Sequence, residues 1–224
     1  MVILMKETNQ TYVDVSRVNV FPITCKDAKP IIVNNHYSHK WTSCRYAYGV
    51  YYDEILIGCV VYGPPVGRQV VDSITKTIPL ERKGVMELTR LWVADGYGTN
   101  IESYSIGQTF KYLRKGGIKV IISYADPNVG HLGKIYQATN FIYQGNQIML
   151  VTAYKFTVKG EVLHPRTVVA RYGSIKDVVL REVDPNYTKK EDLRKHRYIY
   201  ILAGKKERKA IIDDLKHEKK EYVK

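Results

Sequence analysis

The stretch KVIISYADPNVGHLGKIYQATNFIYQG, residues 119–145, holds the residue types best suited to chemistry. Asp126 offers a carboxylate, His131 an imidazole and Tyr136 a phenol. The β-branched run Val120, Ile121, Ile122 reads as a buried strand. Pro127 cannot continue a central strand, so Asp126 is expected at a strand's carboxyl end, where open α/β sheets place their ligands. A short helix is expected from about Lys134, with Tyr136 and Asn140 on one face. A carboxylate at such a mouth can take a proton, and a phenol can give one. The plainer reading is a turn aspartate and a core tyrosine.

A second candidate is IIVNNHYSHKWTSCR, residues 31–45, where His36, Tyr37, His39 and Trp41 crowd together. Interleaved with Lys40 and Arg45, they suit a surface that stacks on bases and contacts phosphates. Two histidines three apart could instead ligate a metal on a helix, or His36 could be a hydrogen-bonded core histidine. The strand VMELTRLWV, residues 85–93, carries Glu87 and Arg90, which simple alternation puts on opposite faces. A charge on a central strand is normally paired or points into a site. A glycine turn, Ala94–Asn100, leads into a helix over Ile101–Lys115 that Thr99 or Asn100 could cap. Glycines before a helix amino terminus let backbone N–H groups meet a phosphate.

These residues must be held by the rest of 224 residues with a formal charge of +13 and 19 tyrosines. That charge points first to nucleic acid as a partner, then to anionic membrane. No apolar run of about 18 residues exists to span a bilayer, and MVILMKETNQ is too short an apolar start for a secretory signal. Cys25, Cys44 and Cys59 are too widely spaced for a disulfide framework or a zinc motif, so a reducing cytoplasm is expected. Residues 1–30 suggest a strand or two, interrupted by Pro22 and Pro30. Residues 46–62 form a hairpin turning at Asp53-Glu54, with Gly58 marking a bulge or close packing. Residues 63–84 are a long irregular connection carrying Arg68. A strand over 148–158 closes the sheet, which divides the chain into a catalytic domain (1–158) and a basic C-terminal extension (159–224) packed on it. The extension carries more than half of the net charge, with a short helix over 166–172, a strand over 198–202 and an exposed helix or frayed tail over 205–224. Lys40, Arg45, Arg68, Arg171, Lys195 and Arg197 are the expected phosphate contacts.

The order hairpin, strand, glycine turn, helix, strand, short helix, strand resembles the GNAT acyltransferase superfamily. That resemblance implies an α+β fold with a mixed, mostly antiparallel central sheet flanked by helices. It implies an acetyl-CoA or related acyl donor held by Leu91, Trp92, Val93, Gly96, Gly98, Thr99 and Asn100. The loop Asp95-Gly96-Tyr97-Gly98 matches the superfamily's glycine loop only in part. IYQATNFIYQG resembles its Tyr-x-x-x-Gly-Phe signature, with Asn140 replacing the glycine; the resemblance makes Tyr136 the acid for the leaving thiolate.

Four strings in order, NNHYS, ELTRL, YADPNVGHLGKIYQATNFIYQG and KHRY, resemble the phage Mom family of DNA-modification proteins. This implies a phage enzyme converting the exocyclic amino group of adenine in DNA to a carbamoylmethyl derivative, protecting the DNA from restriction. It carries His36, Tyr37, Arg90, Asp126 and Tyr136 over as functional positions. The target base, paired in a duplex, would be flipped out onto Tyr37, Trp41 or Tyr143. Arg90 would hold an anionic part of the donor or position Asp126. Attack on a thioester carbonyl yields an N-acetyl group, whereas a carbamoylmethyl group joins nitrogen to a methylene carbon. A transition metal such as iron on His36, His131 and Asp126 would be one way to activate that carbon. The competing readings are an acetyltransferase acting on a protein or small-molecule amine, and a non-catalytic DNA-binding protein.

Overall fold

A computed structural model describes residues 12–146 and 154–223. Ten strands and seven helices follow in chain order: β1 (Val18–Ile23), α1 (Cys25–Asn35), β2 (Tyr46–Tyr52), β3 (Ile55–Gly63), α2 (Arg68–Asp72), β4 (Val85–Val93), α3 (Ile101–Lys115), β5 (Val120–Ala125), α4 (Lys134–Ala138), β6 (Ile142–Gly145), β7 (Tyr154–Val158), β8 (Glu161–Leu163), α5 (Pro165–Tyr172), α6 (Asp177–Val183), β9 (Thr188–Glu191), β10 (His196–Ile201) and α7 (Lys205–Asp213). The central sheet runs β1-β2-β3-β4-β5-β10-β6, and a smaller one runs β8-β7-β9. Every pairing in the central sheet is antiparallel except β4 with β5. This is the α+β, mostly antiparallel architecture implied above.

Alternation along the strands sends side chains to two faces. Tyr48, Val60, Met86, Leu88 and Ile121 join the core under α3 and α4. On the other face Ala47, Cys59 and Val61 meet Ala28 and Ile32 of α1. Further along that face Val85, Val120, Ile122 and Ile199 meet α2 and α7. The face opposite α3 is thus covered by two separate groups of helices, with β4 between them.

Three expectations are corrected here. Residues 25–35 are a helix, despite Pro30. Thr24 caps it: its hydroxyl oxygen accepts from the Asp27 N–H and its O–H donates to the Asp27 carboxylate, the first of these being one half of a capping box. Cys25 and Cys44 are joined by a disulfide, Cα atoms 6.0 Å apart, linking the start of α1 to the approach of β2. The central sheet does not end near residue 158, because β10 lies between β5 and β6. Its apolar members Tyr198, Ile199 and Ile201 are buried, and this burial overrides the basic character of the flanking sequence. Of the expected strand over 148–158, residues 154–158 are β7, and residues 148–153 lie outside the described residues, as do residues 1–11.

Candidate active site

The parallel pair β4 and β5 hydrogen-bonds from Val85↔Val120 to Leu88↔Ser123 and no further. Beyond that point the two strands are not paired, although β4 runs on to Val93 and β5 to Ala125. The register of β4 against β3 also slips there: Tyr62 faces Leu88 while Val61 faces Arg90. Thr89 is therefore the extra residue of a β-bulge, which re-aims the side chains after it. Glu87 and Arg90, assigned to opposite faces by simple alternation, consequently share a side, and the Arg90 charge bears on the Glu87 carboxyl.

Asp126 sits at the carboxyl end of β5 as expected, and caps a single turn of 3-10 helix (Pro127–Val129). Its Oδ1 accepts from both the backbone and the side-chain amide of Asn128, at 3.0 and 2.8 Å. Its Oδ2 lies 3.3 Å from Lys195 Nζ. Burial pushes its pKa up, but the Asn128 bonds and the Lys195 charge outweigh that and leave it below the usual carboxylate range. Tyr136, on α4, is buried. Desolvation raises its pKa to about 12, against a hydrogen bond with Ser123, so the phenol keeps its proton. No hydrogen bond joins Asp126 to Tyr136 among the described residues. Tyr37 is near enough to both for their charges to bear on one another: burial and then the Asp126 carboxylate raise its pKa, and Tyr37 adds to the rise at Tyr136.

Tyr37 is 52% exposed. Its ring centroid lies 4.3 Å from that of His36 and 4.9 Å, edge-on, from that of His131. His36 ends α1 and is buried. Desolvation, then the charges of Arg90, His131 and His39, lowers its pKa to about 4. The Ser38 backbone N–H donates to Nδ1, so the neutral ring carries its proton on Nε2. Arg90 donates from Nε to the Lys40 carbonyl at 3.1 Å and from Nη1 to the Thr89 carbonyl at 2.6 Å. It thereby ties the loop bearing Tyr37 to the bulge.

Other assignments change. His36, His131 and Asp126 form no metal set: among the described residues no three His, Cys, Asp or Glu groups converge on one point. His36 Nδ1 is already an acceptor for Ser38, and Asp126 is held by Asn128 and Lys195. Trp41 packs on the α1 core, and Tyr143 is buried with its hydroxyl 2.7 Å from His196 Nδ1. Tyr37 is thus the one of the three stacking candidates that lies open at the mouth. Arg197 is 2% exposed and bonds Ser73, so a phosphate on the surface cannot reach it. Lys40, Arg45, Arg68, Arg171 and Lys195 are exposed; Arg68 pairs with Asp72 and Arg171 with Glu161. Glu87, noted above as a strand charge but not assigned to the site, has a half-buried carboxyl with a raised pKa, chiefly from desolvation. A charge in the middle of an apolar strand was its signal, hidden by the unforeseen bulge.

Gly96, Gly98 and Asn100 all have positive φ, and no side chain caps α3. A Cβ at Gly96 would meet nothing within 4 Å. An open loop running into uncapped helix N–H groups fits an anionic group such as a pyrophosphate.

An ionised carboxylate and a protonated phenol thus lie near the end of a parallel pair in a mixed sheet, residue types that an enzyme of the transferase class uses to take and give protons. A family profile described as the Mom protein family matches residues 17–224. The chain is 30% identical over 202 residues to the methylcarbamoylase Mom of Escherichia phage Mu, covering 87% of this chain and 79% of that one. The chain belongs to the Mom family. Among solved structures, an N-acetyltransferase from Staphylococcus aureus Mu50 superposes with a TM-score of 0.43 at 14% identity, covering 83% of this chain and 97% of the other. A GNAT family acetyltransferase from Elizabethkingia anophelis with acetyl-CoA bound gives 0.43 at 12% identity, over 83% and 98%.

Proposed function

We infer that this protein is a phage enzyme that modifies the exocyclic amino group of adenine in double-stranded DNA, in the host cytoplasm, and so shields the DNA from restriction. The observation that carries the reading is the arrangement at the mouth of β5. An ionised Asp126, paired with Lys195, and a protonated Tyr136 lie near an exposed Tyr37 whose ring meets His131 of the loop after β5, with Lys40 exposed on the Tyr37 loop. In this reading the adenine is everted and stacks on Tyr37. Adenine's amino lone pair is delocalised into the ring, so the nitrogen must shed a proton as it attacks. Asp126 accepts that N–H. A nitrogen forming its new bond is strongly acidic, so a carboxylate of low pKa suffices. Tyr136 gives its proton to the departing group. Arg90 holds the Tyr37 loop in place.

The glycine loop and the start of α3 would hold the pyrophosphate of an acyl-CoA donor, which when bound supplies a carbon activated by its thioester. Acyl transfer by this step joins the adenine nitrogen to the carbonyl carbon and releases the thiol, giving an N-acyl adenine. The finer form of the proposal, a carbamoylmethyl product, joins nitrogen to a methylene and would take a donor whose leaving group sits on that methylene.

The test is to co-express the protein with a plasmid, digest the DNA to nucleosides and look for a mass-shifted deoxyadenosine. The wild type should produce it. Asp126→Ala should abolish it with DNA binding largely retained, and Tyr136→Phe should lower its rate by roughly 10²-fold or more. Unmodified adenine with acetylated protein or small amines would overturn the proposal in favour of an ordinary acetyltransferase.

A further inference from the structure

From the end of β9 through the connector into β10 the chain reads KKEDLRKHR, residues 189–197, with a single apolar side chain in the run. That residue, Leu193, is 62% exposed. A lone exposed leucine is ordinary, but the way this one is held is not. The Asn128 side chain donates to the Leu193 carbonyl at 3.0 Å and accepts from the Leu193 N–H at 2.9 Å. Both backbone groups are therefore fixed by one amide, and the side chain is presented outward. The same amide nitrogen donates to Asp126 Oδ1. Two residues on, Lys195 pairs with the other oxygen of Asp126. The connector is thus yoked at two points to the carboxylate at the mouth. Val129, the neighbour of Asn128, is also exposed at 45%. Lys189, Lys190 and Lys195 are exposed around them.

We propose that Leu193 is the wedge that enters the duplex and fills the gap left by the everted adenine. Apolar side chains, leucine among them, do this in proteins that unstack base steps, and cations beside them hold the phosphates. Eversion sacrifices the stacking and pairing of the target base, and an apolar plug in the vacated space offsets part of that loss. The Asn128 amide fixes the plug relative to the acceptor of the amino proton, so the gap and the everted base are addressed from one rigid frame. This rests on the reading of an everted adenine given above.

The test uses the full-length protein and duplexes carrying 2-aminopurine, which brightens when unstacked, in every nearest-neighbour context. Wild type should brighten at least one context. Leu193→Ala, which removes an exposed side chain and should unfold at the wild-type temperature, should lose roughly fivefold or more of that signal. Leu193→Phe should keep it. The deficit of Leu193→Ala should disappear when the 2-aminopurine faces an abasic site, where no plug is needed. If Leu193→Ala brightens paired duplexes as wild type does, the wedge is wrong and eversion stands. If wild type brightens none, and Tyr37→Ala, which removes the ring that would quench the everted probe, brightens none either, eversion and wedge fall together.

Discussion

His36 shows how one residue serves packing and chemistry together. It closes α1, accepts the Ser38 N–H and supports the ring of Tyr37. Accepting the Ser38 N–H needs the neutral imidazole, and burial beside Arg90 lowers its pKa from 6.5 to about 4. Between those values the unfolded chain binds a proton that the folded chain refuses. The stability this group contributes is therefore complete above about pH 6.5 and is lost as pH falls toward about 4. The urea midpoint should drop across that window. His164, His196 and His217 are shifted the same way, so the comparison is by difference. His36→Asn should show a shallower drop than wild type, and an equal slope would mean that His36 is charged in the folded state.

At the scale of elements, β3 and β4 approach closely at Gly58. A Cβ there would sit 2.3 Å from the Trp92 carbonyl oxygen and 2.7 Å from Val93 Cα. Both are backbone atoms that cannot rotate away. Gly58→Ala should cost about 1–3 kcal/mol in chemical denaturation, and it would shift the strand that carries Glu87 and Arg90. A change below about 0.5 kcal/mol would show that the strands have room to part. Local patterning was enough to locate much of this region. β2, β3, β4 and α3 lie where alternation, turn residues and glycine punctuation put them, and Gly58 marks both the close approach and a neighbouring register slip. Asp126 and Tyr136 were likewise readable, because Pro127 ends a strand and the helix after Gly133 is short. The bulge at Thr89 was not, because nothing in VMELTRLWV departs from plain alternation; it exists only in the pairing with β3. Helix α1 was obscured by Pro30, although Thr24 and Asp27 carried the capping signal.

For the whole molecule, composition misled. The basic chain after residue 158 looks like an appendage, yet Tyr198, Ile199 and Ile201 are buried in the central sheet. Beyond β10 the chain continues to brace the site: Gln137 of α4 donates to the Val223 carbonyl, and Tyr222 to that of Phe141. A fragment ending at residue 158 should accordingly give no cooperative unfolding transition and should be digested rapidly by protease, whereas a compact, cooperative fragment would refute this account of the core.

The position of β10 also bears on how the polypeptide is made. Translation delivers β5 and β6 long before the strand that must lie between them. Until residues 196–201 emerge, those two strands face an empty lane with unsatisfied backbone edges, the condition that invites misassociation. The keystone follows both of its neighbours in the chain, so the central sheet stays open until it emerges. Products stalled before residue 196 should be held by chaperones or lost to aggregation, and active enzyme should appear only after residues 196–201 have left the ribosome.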